Sequence, residues 1–264
     1  MRWIEFGYDL VWDKSPPLAR ELRNNRSSAD HSDFVTKAVS DMIEAGAASA
    51  LPPGVKPTVV SPLGVVTKSH STKLRLVVDM RYVNDHLTKR VFKFEGLSDL
   101  SDMSEKGDYS LSYDLTSGYY HVALHPLSRR FVGFQWKGVY YQYNCLPFGL
   151  STAPWVFSKI IRELVMYWRG KGINILPYLD DLLFLICGFE VGIRLAGIVE
   201  EDMRLAGLSI NWDKSDNIPL QERVHLGFLV NLAEGLFKVP ITRWESLHKD
   251  IDYILNSHNG RVQT

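Results

Sequence analysis

Phe34, Val35, Ala38, Val39, Met42 and Ile43 recur at three- and four-residue steps, and Gly46 follows them. The spacing predicts an amphipathic helix over 32–45 that stops at the glycine, which accepts a left-handed cap at least cost. A proline-rich loop over 51–62 leads to two β-rich runs, 63–67 and 74–79, separated by the polar Lys68-Ser69-His70-Ser71-Thr72-Lys73. That pattern is a hairpin with a charged tip. Residues 110–115 read as a strand, and 130–136 with 139–146 as two strands joined across Lys137-Gly138. Ser151 or Thr152 caps a helix with Pro154 in its first turn. Its buried side carries Val156, Phe157, Ile160, Ile161, Leu164, Val165 and Trp168, and Gly170 ends it. Apolar strands over 173–178 and 182–186 are tightly joined by Leu179-Asp180-Asp181; a helix over 190–206 stops at Gly207, and a last helical segment covers 242–256. Strands mixed with helices and mostly joined by hairpins predict an α+β fold. The first 30 residues hold Lys14, Arg20, Arg23 and Arg26 around Pro16-Pro17 and an Asn/Ser stretch, and are expected to form a flexible arm. With no evident closing element, the chain reads as a fragment of a longer polypeptide.

Composition adds bounds rather than structure. The 264 residues are 45% hydrophobic and 23% charged, enough to bury a core in one or two packed subdomains. No apolar run approaches the roughly 18 to 20 residues that span a bilayer, and the first residues lack a signal-peptide pattern. A soluble intracellular protein without a membrane partner is expected, with cytoplasm and nucleus both open. The two cysteines, Cys145 and Cys187, are too few for a disulfide framework or a cysteine zinc site and are expected to be small buried residues. Thirty basic and thirty acidic residues give no formal charge, which argues against a protein that simply coats nucleic acid. The charges are unevenly spread, however: residues 66–93 hold seven basic side chains against two acidic ones, and residues 95–114 six acids against one lysine. A positive zone beside a carboxylate cluster suits chemistry on phosphates through metal ions.

The sharpest chemical signal is Asp180-Asp181 inside Pro177-Tyr178-Leu179-Asp180-Asp181-Leu182-Leu183-Phe184. Adjacent carboxylates in an apolar setting are costly unless a positive group compensates them. Taken alone the pair is an ordinary polar turn; apolar strands on both sides argue for more. Asp114, in Ser112-Tyr113-Asp114-Leu115, supplies a third carboxylate on a neighbouring strand, completing an oxygen-rich site for two Mg²⁺ about 3.5 to 4 Å apart.

Tyr178-Leu179-Asp180-Asp181 resembles the Tyr-x-Asp-Asp box of reverse transcriptases, and Tyr113-Asp114-Leu115-Thr116-Ser117-Gly118-Tyr119 resembles the first carboxylate motif of retrotransposon enzymes. Leu146-Pro147-Phe148-Gly149-Leu150-Ser151-Thr152-Ala153-Pro154, with Phe157, is similar to the nucleotide-binding motif of gypsy- and DIRS-type retroelements. Gly207-Leu208 through Lys214, and Leu226-Gly227-Phe228, match the two segments that follow. The resemblance covers residues 34–240 and implies an RNA-directed DNA polymerase, a nucleotidyltransferase acting on deoxynucleoside triphosphates with a primer on an RNA or DNA template.

It further implies that Asp114, Asp180, Asp181 and the Leu115 carbonyl bind two Mg²⁺, for which Mn²⁺ can substitute. Lys68 and Arg75 would cover the triphosphate, Tyr119 would exclude a ribose 2′-hydroxyl, and Phe148 and Gly149 would lie under the nucleotide. Retroviral enzymes commonly carry Gln where Phe148 stands, so a polar contact there is lost. Lys214 would protonate pyrophosphate, and Tyr178, Leu226, Gly227 and Phe228 would contact the primer. None of the eight histidines is assigned to metal.

The implied architecture is a right hand. Fingers come from 31–88 and 122–152, a palm with a ferredoxin-like antiparallel sheet backed by helices from 89–121 and 153–240, and the start of a truncated thumb from 241–264. Two rivals stand beside it. One is a decayed or domesticated retroelement fragment that binds nucleic acid or protein without catalysis, opposed by the intact Asp114, Asp180, Asp181, Lys68 and Arg75. The other is an RNA-directed RNA polymerase, opposed by Tyr119.

Overall fold

The computed structural model describes residues 2–67 and 72–258. Lys68 and the rest of the hairpin tip therefore lie outside the described residues. The chain divides into two compact units: residues up to Lys93 with Ser117–Glu163, and Phe94–Thr116 with everything from Leu164 on.

The first unit is built on a five-stranded sheet in the spatial order Arg20–Glu21, Val59–Val60, Gly133–Trp136, Val139–Tyr143, Ala48–Ala50. The helix Ser32–Glu44 buries Val35, Val39 and Met42, the i, i+4, i+7 face that its spacing predicts. Leu63–Thr67 and Leu74–Val78 pair antiparallel as the expected hairpin. Lys137 and Gly138 both have positive φ, as a two-residue turn between right-twisted strands requires. A methyl group on Gly133 would run into the Pro57 ring, so glycine is what lets that strand pass.

The flexible arm is not what forms. Tyr8 and Leu10 are buried, Tyr8 bridges to Leu124 and Trp12 to Leu87, and Arg20–Glu21 pairs in parallel with Val59–Val60. Tyr8, Leu10 and Trp12 alternate with polar or exposed neighbours, a strand-like period two that the flanking prolines and basic residues mask. The strand expected from residue 130 begins only at Gly133, because Pro126 opens a short helix, Pro126–Arg129, just before it.

The second unit holds a four-stranded antiparallel sheet in the order Asp216–Leu220, Tyr109–Asp114, Asp181–Ile186, Asn174–Tyr178. Helices Ala153–Gly170 and Phe189–Leu205 follow the first and third of these strands in the sequence, giving the βαββαβ connectivity with strand order 4-1-3-2, the expected ferredoxin-like plan. On one face of the sheet Leu111, Tyr113, Ile175, Leu182 and Phe184 are wholly buried. On that side Trp168 is also fully buried, stacks edge-on to Phe184 at 5.1 Å and donates its indole N–H to Asp202 at 2.9 Å.

The opposite face is divided along its length. Leu176, Leu183 and Leu185 pack with Leu100 of the helix Leu97–Met103 and with Val230 and Leu232. The other end carries Asp114, Asp181 and Tyr178, cross-strand neighbours in one row. A three-stranded sheet, Glu222–His225, Phe228–Asn231 and Leu236–Lys238, completes the unit before the last helix, Ile241–His258. These three strands and the Leu97–Met103 helix had no periodic signal long enough to predict them. Cys145 is buried and its thiol is pushed up to about 12 by desolvation; Cys187, just past the end of its strand, is exposed, contrary to expectation.

Candidate active site

Asp114 and Asp181 stand directly opposite each other on adjacent antiparallel strands. The Leu115 amide donates to the Asp180 carbonyl at 2.8 Å, one residue beyond the pair. Asp114 and Asp181 are therefore a non-hydrogen-bonded pair, the arrangement in which facing side chains come closest. Like charges so placed destabilise a sheet by roughly 0.2–1 kcal/mol. Asp180 sits beside them in a two-residue turn whose other member, Leu179, is held at φ 55°. A non-glycine residue in that region costs on the order of 1 kcal/mol or more, so the turn is held by the strands around it. Burial raises the Asp180 carboxyl above its ordinary value, and the neighbouring Asp114 and Asp181 push it the same way while Lys214 opposes them.

The loop after Ile210 wraps Asp114. Asn211 donates its side-chain amide to Asp114 Oδ1 at 2.9 Å and its backbone amide to the Asp114 carbonyl, while the Asp114 amide donates to Ser215 Oγ. Lys214 Nζ lies 3.2 Å from Asp114 Oδ1 and 3.3 Å from Oδ2. Here it is the partner of a carboxylate, and its side chain is 60% exposed. An exposed pair of this kind is worth about 0.2–1 kcal/mol, weak enough to yield to a divalent ion. Leu115 forms an antiparallel bridge with Ile210 through the Thr116 amide and the Asp114 carbonyl. Its own carbonyl points, like its amide, toward the Leu179-Asp180 turn.

Three carboxylates and a backbone carbonyl are an all-oxygen donor set suited to a hard divalent cation such as Mg²⁺. The fit is chemical as well as positional: opposed Asp114 and Asp181 and a half-buried Asp180 with a raised carboxyl are a cluster short of positive charge. Among the described residues no three such groups yet converge on one point. Asp114 is turned onto Lys214 and Asn211, and Asp181 onto His225, whose Nδ1 lies 3.3 Å from Asp181 Oδ2.

Of the residues expected at the primer, Tyr178 shares the row of Asp181 and Asp114 and packs against Phe94 at 5.0 Å. Leu226 and Gly227, at φ 48° and 78°, are the two turn residues between Glu222–His225 and Phe228–Asn231. Arg243 clamps that turn, donating to the Gly227 carbonyl at 2.9 Å and lying 5.8 Å from the Phe228 ring centre.

The remaining expected residues that are described, Arg75, Tyr119, Phe148 and Gly149, lie in the first unit. Arg75, Phe148 and Gly149 line one cavity of about 480 Å³ with Met42, Tyr120 and Tyr143. The Tyr119 ring packs on Phe148 at 4.8 Å and on Phe157 at 5.7 Å. It is aimed there by a 3₁₀ turn, Gly118–His121, that starts from Ser117 in the left-handed region. Gly118 lies so close to the Phe157 ring that a Cβ would sit 2.9 Å from it. Asn84 holds the Phe148-Gly149 loop, donating to the Gly149 carbonyl at 2.9 Å and accepting from the Ser151 amide at 2.8 Å. Asn84, Asn211, Ser215 and His225 were not singled out by sequence reasoning. Asn211 and Ser215 flank the matched Lys214, a signal that could have found them; His225 had none.

A family model described as reverse transcriptase (RNA-dependent DNA polymerase) matches residues 66–230. The chain is 25% identical over 185 residues to the retrovirus-related Pol polyprotein from transposon 297 of Drosophila melanogaster, covering 69% of the chain and 17% of the relative. It is 28% identical over 184 residues to that from transposon 412 of the same fly, covering 66% and 14%. The chain thus spans less than a fifth of these curated relatives. Among solved structures, foamy viral protease-reverse transcriptase in complex with RNA/DNA hybrid superposes with a TM-score of 0.75 at 18% identity, over 95% of this chain and 33% of that one. Native prototype foamy virus protease-reverse transcriptase gives 0.69 at 20% identity, over 89% and 29%.

Proposed function

Because the chain belongs to the reverse transcriptase (RNA-dependent DNA polymerase) family, we propose that it adds deoxynucleotides to a primer 3′ end on an RNA template, and on a DNA template as well. The observation that carries the reading is the directly opposed Asp114 and Asp181 with Asp180 in the adjoining turn. Asp114, Asp180, Asp181 and the Leu115 carbonyl are the proposed ligands of two Mg²⁺, replaceable by Mn²⁺. When bound, the ions supply Lewis-acid activation of the primer hydroxyl and charge neutralisation at the triphosphate.

The other roles are assigned from motif position. Lys68 and Arg75 contact the triphosphate, Phe148 and Gly149 support the nucleotide, and Tyr119 selects the deoxy sugar. Tyr178, Leu226, Gly227 and Phe228 contact the primer end, and Lys214, released from Asp114, protonates pyrophosphate. The ring packing of Tyr119 against Phe148 and Phe157 supports a stiff side chain suited to steric selection. The first unit corresponds in this reading to fingers, the second to a palm, and 241–264 to the start of a thumb. The alternation of the two units along the sequence supports that division. The RNA/DNA hybrid held by the foamy viral relative supports a primer-template duplex as partner. The alternative, a chain that binds without catalysis, is opposed by the presence of Asp114, Asp180, Asp181, Lys68 and Arg75 in the sequence.

The test is extension of a DNA primer on an RNA template with Mg²⁺, supplying deoxy- and ribonucleotides side by side. Extension with deoxynucleotides alone is expected. Tyr119→Ala should raise ribonucleotide use by on the order of 10²-fold, the scale on which a site discriminates a single hydroxyl. Absence of any incorporation refutes the polymerase reading, and unchanged sugar choice in Tyr119→Ala refutes the gate.

A further inference from the structure

The strand Glu222–His225 alternates exposed and buried side chains, and its two buried members are polar: Arg223 and His225. Burying such groups is costly unless they are paired. Arg223 is fully engaged. Its Nε donates to Ser110 Oγ at 2.8 Å, Nη2 to the Ser110 carbonyl at 2.6 Å, and Nη1 lies 3.2 Å from Asp216 Oδ2. These bonds tie the strand to Tyr109–Asp114 four residues before Asp114, on the face that Asp114 shares with Ser110 and Ser112. Two residues further on, His225 comes out on the same side with its side chain 1% exposed, and its Nδ1 lies 3.3 Å from Asp181 Oδ2.

The other ring nitrogen, Nε2, is buried without a hydrogen-bond partner among the described residues. A histidine whose role was to stabilise the fold would satisfy both nitrogens or be replaced by an apolar ring; this one directs its polar contact to one carboxylate. Its placement is also mechanical. His225 pairs with Phe228 across the Leu226-Gly227 turn, and Arg243 fixes that turn from the last helix.

We propose that His225 is a positioning residue: it aims the Asp181 carboxylate at the metal centre and links it to the Leu226-Gly227 turn. This rests on the reading of Asp181 as a metal ligand. Asp181 faces its like-charged neighbour Asp114 and is 34% exposed, so without His225 its carboxylate has room to turn away. In this role Nδ1, 3.3 Å from Asp181 Oδ2, would hold that oxygen and leave the other one free for an ion. No bond is made or broken by His225 itself.

Two substitutions separate this role from packing. Asparagine keeps a donor where Nδ1 stands; phenylalanine keeps the ring and removes the donor, and with it the unpartnered Nε2. The direct probe is Mn²⁺ titrated into the full chain, with the free ion read by its electron paramagnetic signal, beside thermal unfolding and primer extension. His225→Phe should weaken Mn²⁺ binding about tenfold or more, the usual cost of losing an outer partner of a ligand. Its unfolding temperature should stay equal or rise, because a buried unpaired nitrogen is gone. In extension, kcat should fall while KM for the deoxynucleotide holds within about twofold, as for an interaction gained only in the transition state. His225→Asn should recover Mn²⁺ binding to within about threefold of the unsubstituted chain.

Unaltered Mn²⁺ binding in His225→Phe, an asparagine variant no better than phenylalanine, a drop in unfolding temperature that parallels the lost affinity, or failure of the unsubstituted chain to bind Mn²⁺ each overturns the proposal. Mn²⁺ binding that follows the expected order without nucleotide incorporation by any variant refutes the polymerase reading and leaves the role of His225 standing.

Discussion

Replacing Asp180 by asparagine should stabilise the metal-free chain while destroying its activity. The carboxyl of Asp180 is raised by burial and by the charges of Asp114 and Asp181, with Lys214 the cation that opposes them. A raised folded-state value means that the folded chain holds this proton more tightly than the unfolded chain does. The associated stability is present at low pH and is lost as pH rises from the ordinary carboxylate range through the raised value. At neutral pH the ionised Asp180 is therefore a net cost. Two like-charge contacts of roughly 0.2–1 kcal/mol each, reduced because the site is half exposed, put that cost near 1 kcal/mol. An asparagine side chain has the same shape without the charge, so in Asp180→Asn the unfolding temperature of the second unit should rise by about 2–4 °C in EDTA at pH 7–8. The gain should shrink toward pH 4.

Mg²⁺ reverses the order. At about ten times its dissociation constant it should stabilise the unsubstituted chain by about 1.4 kcal/mol and Asp180→Asn hardly at all. Removing one ligand that shares several kcal/mol of transition-state stabilisation should slow primer extension by ~10³-fold. Thermal scans in EDTA and in Mg²⁺, at pH 4 and pH 8, give all four values. A variant that is less stable than the unsubstituted chain in EDTA at pH 8, or one that Mg²⁺ stabilises equally, would refute the picture of a carboxylate cluster short of positive charge.

Two further substitutions probe the supports of the site. Gly149 has φ +93°, and a Cβ there would sit 3.0 Å from the Val78 carbonyl, so Gly149→Ala should cost about 1–3 kcal/mol of stability and raise KM for the deoxynucleotide, read by thermal unfolding and steady-state extension. Trp168→Phe removes the indole donor to the half-buried Asp202 carboxylate and part of a fully buried ring and should cost about 1–3 kcal/mol; denaturant titration showing a loss below about 0.5 kcal/mol would mean that the indole bond contributes nothing net.

The sequence alone determined the features that depend on short-range periodicity and turn chemistry. The Ser32–Glu44 helix, the Leu63–Thr67 hairpin, the Lys137-Gly138 turn and the paired strands around Asp180 follow from which residues repeat every two or every three to four positions and where glycine interrupts them. The three carboxylates and the family resemblance were legible for the same reason, being contiguous motifs in a fixed order. The N-terminal segment was misread because alternating Tyr8, Leu10 and Trp12 is a weak local signal, and burial of that segment is decided by Leu124 and Leu87, more than 70 residues away.

Tertiary structure alone decided how the motifs act on one another. The register that sets Asp181 opposite Asp114 in a non-hydrogen-bonded pair depends on two strands separated by a long helix, and a slip of one residue would send one of the two carboxylates to the buried face. Asn211, Ser215 and Lys214 close on Asp114 only because Ile210 bridges back to Leu115. His225, unremarkable beside a Leu-Gly-Phe turn in the sequence, gains its meaning from Arg223, which pins its strand to Ser110 and brings the ring to Asp181. Polar groups buried in pairs carry no periodicity, since each is justified only by a partner that the fold supplies.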